Sequence, residues 1–263
     1  MKLFKKIIIF TAMCYLPFTS SAWGIIGHRV VGEIADSYLT KKTKKAIAAI
    51  LGNESVAMAS NWPDFIKSDP NYRYLNNWHY VNLKSDLTFD EVNNFLTADT
   101  ATDAYTKINF LVNEMKTNTL LPNETKVMYI RLLIHIIGDI HQPMHLGKPD
   151  DRGGNAVKLK WFDEPTNLHA VWDEKLVEFQ ELSYTEYAKA INFITKEQRN
   201  SWKQQSLVQW IYDTYTLTGK VYAESKPDSR LDYLYNFKFL APMNDQLLKG
   251  GFHLATVLND IFK

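Results

Sequence analysis

The segment spanning residues 123–140 is apolar on nearly every face of a helix, which limits what the rest of the chain can form. Arg131 is the main interruption of an otherwise apolar helical pattern, carried by Val127, Ile130, Leu133, Ile134, Ile136 and Ile137. A helix without a polar face must be covered on all sides, so it belongs in the middle of a helical bundle. Pro122, directly before it, suits the start of a helix.

Most of the remaining chain also has helical periodicity. Residues 30–39 and 46–51 indicate two helices, the second ending near Gly52, and residues 89–96 and 104–115 are amphipathic. The helical pattern resumes near Leu168 and continues to the C-terminus, with breaks expected near Pro227 and Pro242.

Residues 155–162 alternate instead between apolar and polar side chains, and glycines and a proline flank them. This pattern is typical of a short strand or hairpin. Since no repeat, low-complexity linker or shift in composition divides the chain, we predict one all-α, mainly helical domain over residues 23–263. The domain would include a short β-hairpin.

Residues 1–22 have the pattern of a secretory signal peptide. Three lysines precede an apolar stretch, residues 7–16, that is too short to span a bilayer, and small residues end at Ala22. Cleavage would make Trp23 the first residue of a secreted or periplasmic protein without a membrane anchor. A membrane anchor is the alternative interpretation, and the length of the apolar stretch disfavours it.

The charge of the chain argues against nucleic-acid binding by a broad basic face. The formal charge of +1 falls to about −2 once Lys2, Lys5 and Lys6 leave with the signal peptide. Any anionic substrate must therefore be attracted locally, for example by bound metal. The single cysteine, Cys14, also leaves with the signal peptide, so a large core, metal or both must replace disulfides. We expect a monomer.

Two pairs of histidine and aspartate have helical spacing. His135 and Asp139 lie four residues apart within the apolar helix, and His169 and Asp173 repeat this spacing after the candidate N-cap Asn167. A lone histidine on an apolar face is more often a hydrogen-bonded core residue. Two such pairs favour a metal site, because carboxylates are rarely buried unless they are paired or bind metal. Imidazole and carboxylate without thiolate are typical of catalytic zinc.

Further residues extend this pattern into a set of motifs that resembles the zinc-dependent single-strand nucleases of the S-one and P-one type, also known as 3′-nucleotidases. The motifs occur in the expected order: Trp23-x4-His28, Trp62-Pro63-Asp64, Asn77-Trp78-His79-Tyr80, His135-x3-Asp139-x-His141-Gln142-Pro143-x-His145 and Asn167-Leu168-His169-x2-Trp172-Asp173. Each motif alone is modest, whereas nine ligand positions in order are specific.

The resemblance implies three Zn²⁺ ions and indicates which residues would bind each ion. One ion would be held by Asp64, His79, His135 and Asp139. A second would be held by the terminal amino nitrogen and carbonyl oxygen of Trp23, by His28 and by a bridging Asp139. The third would be held by His145, His169 and Asp173, with water at its open positions. His141 and His253 fall outside this set. We interpret His141 as an indirect support of the ligands or a packed core residue, and His253 as a structural or an exposed residue.

The resemblance also implies the reaction. The substrates would be single-stranded DNA, RNA and 3′-nucleotides, and water rather than a side chain would attack phosphorus to leave 5′-phosphates. Asp64 and Asp139 would be catalytic as metal ligands, together with Lys67 near the phosphate. Tyr80, Asn82 and Asn155 would bind the substrate, with Tyr80 as a stacking surface for a base. Asn82 stands where the family has an aspartate. Lys67 stands where the family usually has an arginine, and this replacement keeps the charge but loses the bidentate geometry of the guanidinium.

Two alternatives remain open at this stage. A zinc phospholipase C resembles this arrangement, but its second ligand lies farther from the terminus and its last pair ends in glutamate, whereas this chain has Asp173. A helical binding module in which zinc only stabilises the fold is a different class. Structural zinc sites usually close their coordination shell, which disfavours the second alternative.

Overall fold

The computed structural model describes residues 23–263, and the predicted signal peptide, residues 1–22, lies outside the described residues. The α-helices of the described part are α1 (Ile25–Tyr38), α2 (Lys41–Leu51), α3 (Val56–Ala59), α4 (Trp62–Ile66), α5 (Phe89–Ala98), α6 (Ala104–Thr117), α7 (Asn123–Asp139), α8 (Leu168–Ala170), α9 (Leu176–Glu178), α10 (Tyr184–Ile191), α11 (Lys196–Gln204), α12 (Leu207–Glu224) and α13 (Tyr233–Ile261). The 3₁₀-helical segments are Pro70–His79, Pro143–Leu146 and Pro149–Asp151, and a π-helical segment, Val171–Lys175, joins α8 to α9. The predicted mainly helical fold is confirmed.

Helix α7 lies at the centre of the bundle, as its apolar faces predict. It contacts α1, α2, α3, α4, α6 and α13, and its residues from Leu132 to Asp139 are all buried. Arg131 stays only partly exposed, because its guanidinium pairs with Glu54 at 2.8 Å and lies over the ring of Trp62. The two polar side chains of the buried part, His135 and Asp139, are therefore carried into the interior.

Local signals in the sequence explain where several surrounding helices begin. Thr88 at the start of α5 and Ser183 at the start of α10 each accept a hydrogen bond from the backbone three residues on. A glutamate at that third position bonds back in both helices, which satisfies two of the free N–H groups at the helix start. Thr40 caps α2, and Gly52 with φ of 67° ends it as predicted.

The predicted hairpin is present and forms part of a small sheet. Strand β1 (Lys158–Trp161) pairs antiparallel with β2 (Glu164–Asn167), with Lys158 opposite Asn167 and Trp161 opposite Glu164. A third strand, β3 (Arg230–Leu231), runs parallel to β1 on its other edge and was not predicted. The hairpin ends directly at α8, so it positions the start of the helix that carries His169.

The expected break at Pro242 is wrong, because Pro242 lies inside α13, which continues to Ile261. A proline inside a helix removes one hydrogen bond and costs about 3 kcal/mol. Neighbouring Phe239 and Met243 are buried, and α13 packs along α1. This packing offsets the local cost. None of the helices within residues 23–263 is both long and apolar enough to span a membrane.

His141 and His253 are both buried, and they form a pair away from the predicted ligand set. His141 Nδ1 lies 2.7 Å from the carbonyl oxygen of Ile137, which can only accept, so the proton of this ring is on Nδ1. His141 Nε2 therefore accepts a hydrogen bond from His253 Nδ1 at 2.8 Å. The ring of His253 stacks on Trp210 with centroids 4.2 Å apart. Both histidines are packed inside the bundle, so of the two alternatives for His253 the exposed one is wrong.

Candidate metal centre

Most of the predicted site residues surround one cleft of about 520 Å³. Its walls include Asp64, Lys67, His79, Tyr80, Asn82, His145, Asn155 and His169. The cleft lies where α4 and the 3₁₀ segment Pro70–His79 meet the chain that follows α7. Side chains that are up to about 100 positions apart in the sequence are thereby brought to one place.

Three groups of side chains could hold a metal ion, each with candidate ligand atoms within 4.8 Å of one another. We call them the Asp64 group, the His28 group and the His169 group. Their members are Asp64, His79 and His135; His28, His135 and Asp139; and His145, His169 and Asp173.

The Asp64 group is assembled from three elements. Asp64 comes from the first turn of α4, His79 ends the 3₁₀ segment, and His135 comes from α7. His135 Nε2 lies 2.9 Å from His79 Nδ1 and 3.8 Å from Asp64 Oδ1. His135 Nδ1 lies 2.6 Å from the carbonyl oxygen of Ser60, which fixes the proton there and leaves the Nε2 lone pair facing the group.

Asp139 lies between the Asp64 group and the His28 group. Its Oδ2 is 3.0 Å from His79 Nδ1 and 3.3 Å from His135 Nε2, whereas its Oδ1 is 3.3 Å from His28 Nε2. The two oxygens of one carboxylate thus face different groups. Trp23 is fully buried beside this site and donates its indole N–H to the carbonyl of Gly138 at 2.9 Å.

The His169 group has its own backbone supports. His169 Nε2 lies 3.2 Å from Asp173 Oδ2, and His145 Nε2 lies 3.9 Å from Asp173 Oδ1. His145 Nδ1 is 2.6 Å from the carbonyl oxygen of His79, and His169 Nδ1 is 2.6 Å from that of Gly153. Each carbonyl oxygen accepts the Nδ1 proton, so both Nε2 atoms keep a lone pair for a metal.

Gln142 is a site residue that sequence reasoning missed. Its amide nitrogen donates to Asp173 Oδ1, and its amide oxygen accepts from the backbone N–H of Met144. The side chain is fully buried, so these contacts fix the orientation of the Asp173 carboxylate. Gln142 lies within the His141-Gln142-Pro143 motif, and this position was the sequence feature that could have indicated its role.

Asp173 lies in a π-helical turn, whereas the i, i+4 spacing of His169 and Asp173 predicted an ordinary α-helix here. The segment Val171–Lys175 has this wider geometry between α8 and α9. π-Helical turns are rare and occur frequently at functional sites. His169 and Asp173 still approach each other, as predicted from their spacing.

Several buried polar atoms of these groups make no hydrogen bond. Both ring nitrogens of His28, Nε2 of His145 and Oδ1 of Asp139 are buried and make no hydrogen bond within residues 23–263. Buried nitrogen and oxygen atoms are rarely left unpaired in folded proteins. Metal coordination would satisfy them, and neutral imidazole with carboxylate is a donor set that suits a divalent cation such as zinc.

Burial lowers the pKa of most histidines in these groups, whereas at His169 the neighbouring Asp173 carboxylate outweighs burial and raises the pKa. Burial, followed by repulsion from His135, lowers the pKa of His28 well below its usual value and that of His79 to about 3. Burial and then repulsion from His169 likewise lower the pKa of His145. Uncharged imidazoles are the form that binds metal.

The shared carboxylate is held in an environment that disfavours its charge. Burial raises the pKa of Asp139 well above its usual value, and repulsion from Asp64 and Asp173 raises it further. Burial also raises the pKa of Asp64, but attraction to His135 and Lys67 outweighs this and lowers it overall. A nearby cation would offset the repulsion at Asp139.

The predicted substrate-binding residues line the cleft around these groups. Tyr80 is half-buried, and its hydroxyl donates to Asn77 Oδ1 at 2.9 Å. Asn155 donates its side-chain amide to the carbonyl of Arg152 at 2.9 Å. Lys67 Nζ lies 2.8 Å from Asp64 Oδ1, so this cation already pairs with a member of the Asp64 group. Asn76, Ser68 and Arg152 also line the cleft and were not predicted.

Comparison with known proteins gives one consistent result. The sequence profile described as S1/P1 nuclease matches residues 23–263. Endonuclease 3 from Arabidopsis thaliana is 27% identical over 262 residues, which cover 91% of this chain and 89% of that protein. Nuclease P1 from Penicillium citrinum is 24% identical over 269 residues, 91% of this chain and 97% of that protein. Nuclease S1 from Aspergillus oryzae is 31% identical over 168 residues, 59% of this chain and 55% of that protein.

Proposed function

The chain belongs to the S1/P1 nuclease family, whose members are phosphodiesterase hydrolases, and we propose that it is a secreted zinc endonuclease and 3′-nucleotidase. Its substrates would be single-stranded DNA and RNA. The observation that carries this proposal is the convergence of three adjoining histidine and aspartate groups, two of which contribute side chains to the walls of one cleft.

The donor set supports zinc as the metal. The groups offer imidazole nitrogens and carboxylate oxygens, and residues 23–263 contain no cysteine. This set is typical of catalytic rather than structural zinc. When bound, zinc ions would supply positive charge and Lewis acidity for the activation of water and the departure of an oxygen.

We assign the ligands as the family pattern implies. The first ion would be held by Asp64, His79, His135 and Asp139. The second would be held by the terminal amino nitrogen and carbonyl oxygen of Trp23, by His28 and by Asp139. The third would be held by His145, His169 and Asp173. The carboxylate of Asp139 supports its bridging role, because Oδ2 faces His79 and His135 while Oδ1 faces His28.

A local positive charge would attract the substrate to a protein with little net charge. Asp64, Asp139 and Asp173 carry at most three negative charges, so three divalent cations leave about three positive charges in the cleft. Lys67 adds a further cation at the wall of the cleft beside Asp64. A phosphodiester is therefore drawn to the cleft rather than to a broad basic surface.

The reaction needs no nucleophilic side chain. The oxygen of a water molecule attacks phosphorus, the bond from phosphorus to the 3′-oxygen breaks, and the products carry a 5′-phosphate and a free 3′-hydroxyl. The buried histidines and aspartates hold the reacting groups in place, and Lys67 is close enough to the cleft to contact a phosphate oxygen. The same bond is broken in a 3′-nucleotide, which accounts for 3′-nucleotidase activity.

Single-strand preference follows from the depth of the site. His79 and His145 are almost entirely buried at the base of the cleft, so the scissile phosphate must enter it. A splayed nucleotide can do this more readily than a stacked duplex. Tyr80 offers an aromatic ring on the cleft wall, where a base can stack, and Asn82 and Asn155 offer amides for hydrogen bonds to the nucleotide.

Metal analysis and product analysis on the same sample test the proposal. Untagged protein beginning at Trp23 is purified with zinc, its metal content is measured by mass spectrometry, and the products from single-stranded DNA are sequenced at their ends. We expect about three zinc ions per chain and 5′-phosphorylated products. One zinc ion or none would overturn the ligand assignment, and three ions without cleavage of any single strand would overturn the function.

A further inference from the structure

Arg152 is an exposed cation on the wall of the cleft. Its backbone is left-handed, with φ of 56° and ψ of 49°, and Gly153 and Gly154 after it also have positive φ. Few residues other than glycine, asparagine and aspartate adopt this conformation readily. The loop thus holds an arginine in a backbone conformation that favours other residue types.

The loop around Arg152 is fixed to the metal centre. Asp151 Oδ1 accepts hydrogen bonds from the backbone N–H of Gly154 at 2.7 Å and from the hydroxyl of Tyr222 at 2.8 Å. The carbonyl of Gly153, the next residue after Arg152, accepts the Nδ1 proton of His169 at 2.6 Å. The position of Arg152 relative to the His169 group is therefore set by the backbone itself.

The guanidinium of Arg152 is available to a ligand. Within residues 23–263 it forms no hydrogen bond or ion pair, whereas Arg131 and Arg230 are each paired with a carboxylate. Lys67, the other cation that lines the cleft, is bound to Asp64. Arginine presents a planar fork of N–H donors that matches two phosphate oxygens.

The location of Arg152 indicates which phosphate it can reach. The scissile phosphate must approach the histidines at the base of the cleft, where His145 and His169 are only 3% and 7% exposed. Arg152 is exposed and lines the same cleft, and its loop contacts His169 through Gly153, so its charge is available to a phosphate that lies outside the base of the cleft.

We propose that Arg152 binds a phosphate next to the scissile one, and thereby favours strands of several nucleotides over substrates with a single phosphate. The inference rests on the proposed nuclease function. It gives this chain an affinity determinant separate from the metal centre and from base stacking.

Three variants separate the charge of Arg152 from its backbone. Arg152→Asn removes the charge and keeps a residue that tolerates the left-handed conformation. Arg152→Lys keeps the charge without the fork. Lys220→Asn is the matched control, because Lys220 is an exposed cation on α12 that does not line this cleft and its loss changes the net charge equally.

The experiment compares two substrates, decathymidylate, with nine internucleotide phosphates, and the dinucleotide thymidylyl-thymidine, with one. The kcat/KM of each zinc-loaded variant is measured on both at several salt concentrations. For Arg152→Asn we expect a loss of about tenfold on decathymidylate, the effect of one charged hydrogen bond, and a clearly smaller loss on the dinucleotide. The slope of log KM against log salt on decathymidylate should fall by about 0.7, the value for one phosphate contact to a single strand.

The outcomes distinguish this inference from the proposed function. Wild-type protein that holds zinc and cleaves neither substrate would overturn the proposed function, and the inference with it. Wild-type cleavage of both substrates with equal losses for Arg152→Asn on the two, or an unchanged salt slope, would overturn the inference alone. The inference would be supported if Arg152→Lys partly recovers the kcat/KM on decathymidylate and if Lys220→Asn keeps the wild-type ratio of kcat/KM on the two substrates. A melting temperature near that of wild type would show that Arg152→Asn is folded.

Discussion

His28 and His135 stack face to face, with ring centroids 3.9 Å apart and ring planes 18° apart, although they come from α1 and α7. Burial lowers the pKa of both side chains. Two protonated rings at this distance would repel each other inside the bundle. The stack therefore indicates that these two imidazoles are uncharged before any metal binds.

The first prediction concerns acid. In the unfolded chain a histidine titrates near 6.5, whereas burial holds His79 at a pKa of about 3 in the folded state. Between these values the unfolded state binds more protons, so the free energy of unfolding falls as the pH falls through this window. His28 and His145, whose pKa values are also lowered, act in the same direction.

Asp139 and His169 oppose this effect, because their raised pKa values let the folded state keep protons that the unfolded state has already lost. We expect the histidines with lowered pKa values, which outnumber the opposing groups, to determine the net change in stability. Urea unfolding of metal-depleted protein at about pH 7.5 and about pH 5 should therefore give a lower midpoint at the acidic pH. An equal or higher midpoint at the acidic pH would contradict the prediction.

The second prediction concerns the shared carboxylate. Asp139→Asn removes the charge that faces both the His28 group and the Asp64 group, so at least one metal ion should be lost per chain. Activity on single strands should fall by more than about a hundredfold, since even indirect partners of metal ligands contribute 10- to 100-fold. Asp90→Asn, an exposed substitution in the first turn of α5, is the control. Full metal content in Asp139→Asn would exclude the bridging assignment.

The third prediction concerns residues ahead of Trp23. If the terminal amino group of Trp23 is a ligand, an intact N-terminal extension should remove one zinc ion and most of the activity. An extension of equal length after Lys263 is the matched control, and intact-mass measurement shows whether each extension is retained. Equal zinc content and activity in the two extended proteins would rule out the amino group as a ligand.

The fourth prediction concerns Gln142. Gln142→Glu replaces the amide that donates to Asp173 Oδ1 with a second carboxylate, so repulsion should disturb the His169 group. We expect the affinity for one metal ion to fall by about 10- to 100-fold, measured by competition with a zinc-sensitive dye. Gln198→Glu, at a half-buried position in the first turn of α11, makes the same chemical change elsewhere and keeps an oxygen that can accept from the backbone N–H of Thr195. Identical zinc affinity in both variants would show that Gln142 does not orient Asp173.

The fifth prediction concerns the histidine pair outside the metal groups. His253→Phe removes the donor to His141 Nε2 and leaves a buried acceptor unpaired, which should lower the free energy of unfolding by about 1–3 kcal/mol. His253→Gln, which keeps an amide donor, should lose less. Zinc content should stay at the wild-type value in both, and loss of zinc in His253→Phe would show that the pair belongs to the metal centre.

The central helix and its two site residues could be predicted from the sequence. Apolar residues on all faces of residues 123–140 exclude a surface position, and a spacing of four places His135 and Asp139 on one side. The remaining groups could be predicted through their motifs, because the relevant residue types stand in a fixed order. The grouping of residues far apart in sequence depended on the family resemblance.

Other features depend on tertiary contacts and leave little periodic signal. The continuation of α13 through Pro242 is decided by packing against α1, which outweighs the local preference of proline. The contact between Gln142 and Asp173 joins two segments 31 positions apart. Arg152 directly precedes two glycines, which indicated a turn but did not show that the side chain lines the cleft.

The π-helical turn at Val171–Lys175 changes the direction in which the side chains after it point, relative to the side chains before it. Each residue of an α-helix advances the chain by about 100°, so one extra residue turns everything after it by that angle. His169 precedes the π-helical turn and Asp173 lies within it, whereas Leu176 and Val177 follow it and are buried in the core. Deletion of a single residue at 174 or 175 would leave the pair in contact and rotate the two apolar side chains towards solvent. The π-helical turn therefore lets one short helix direct His169 and Asp173 towards the cleft and Leu176 and Val177 into the core.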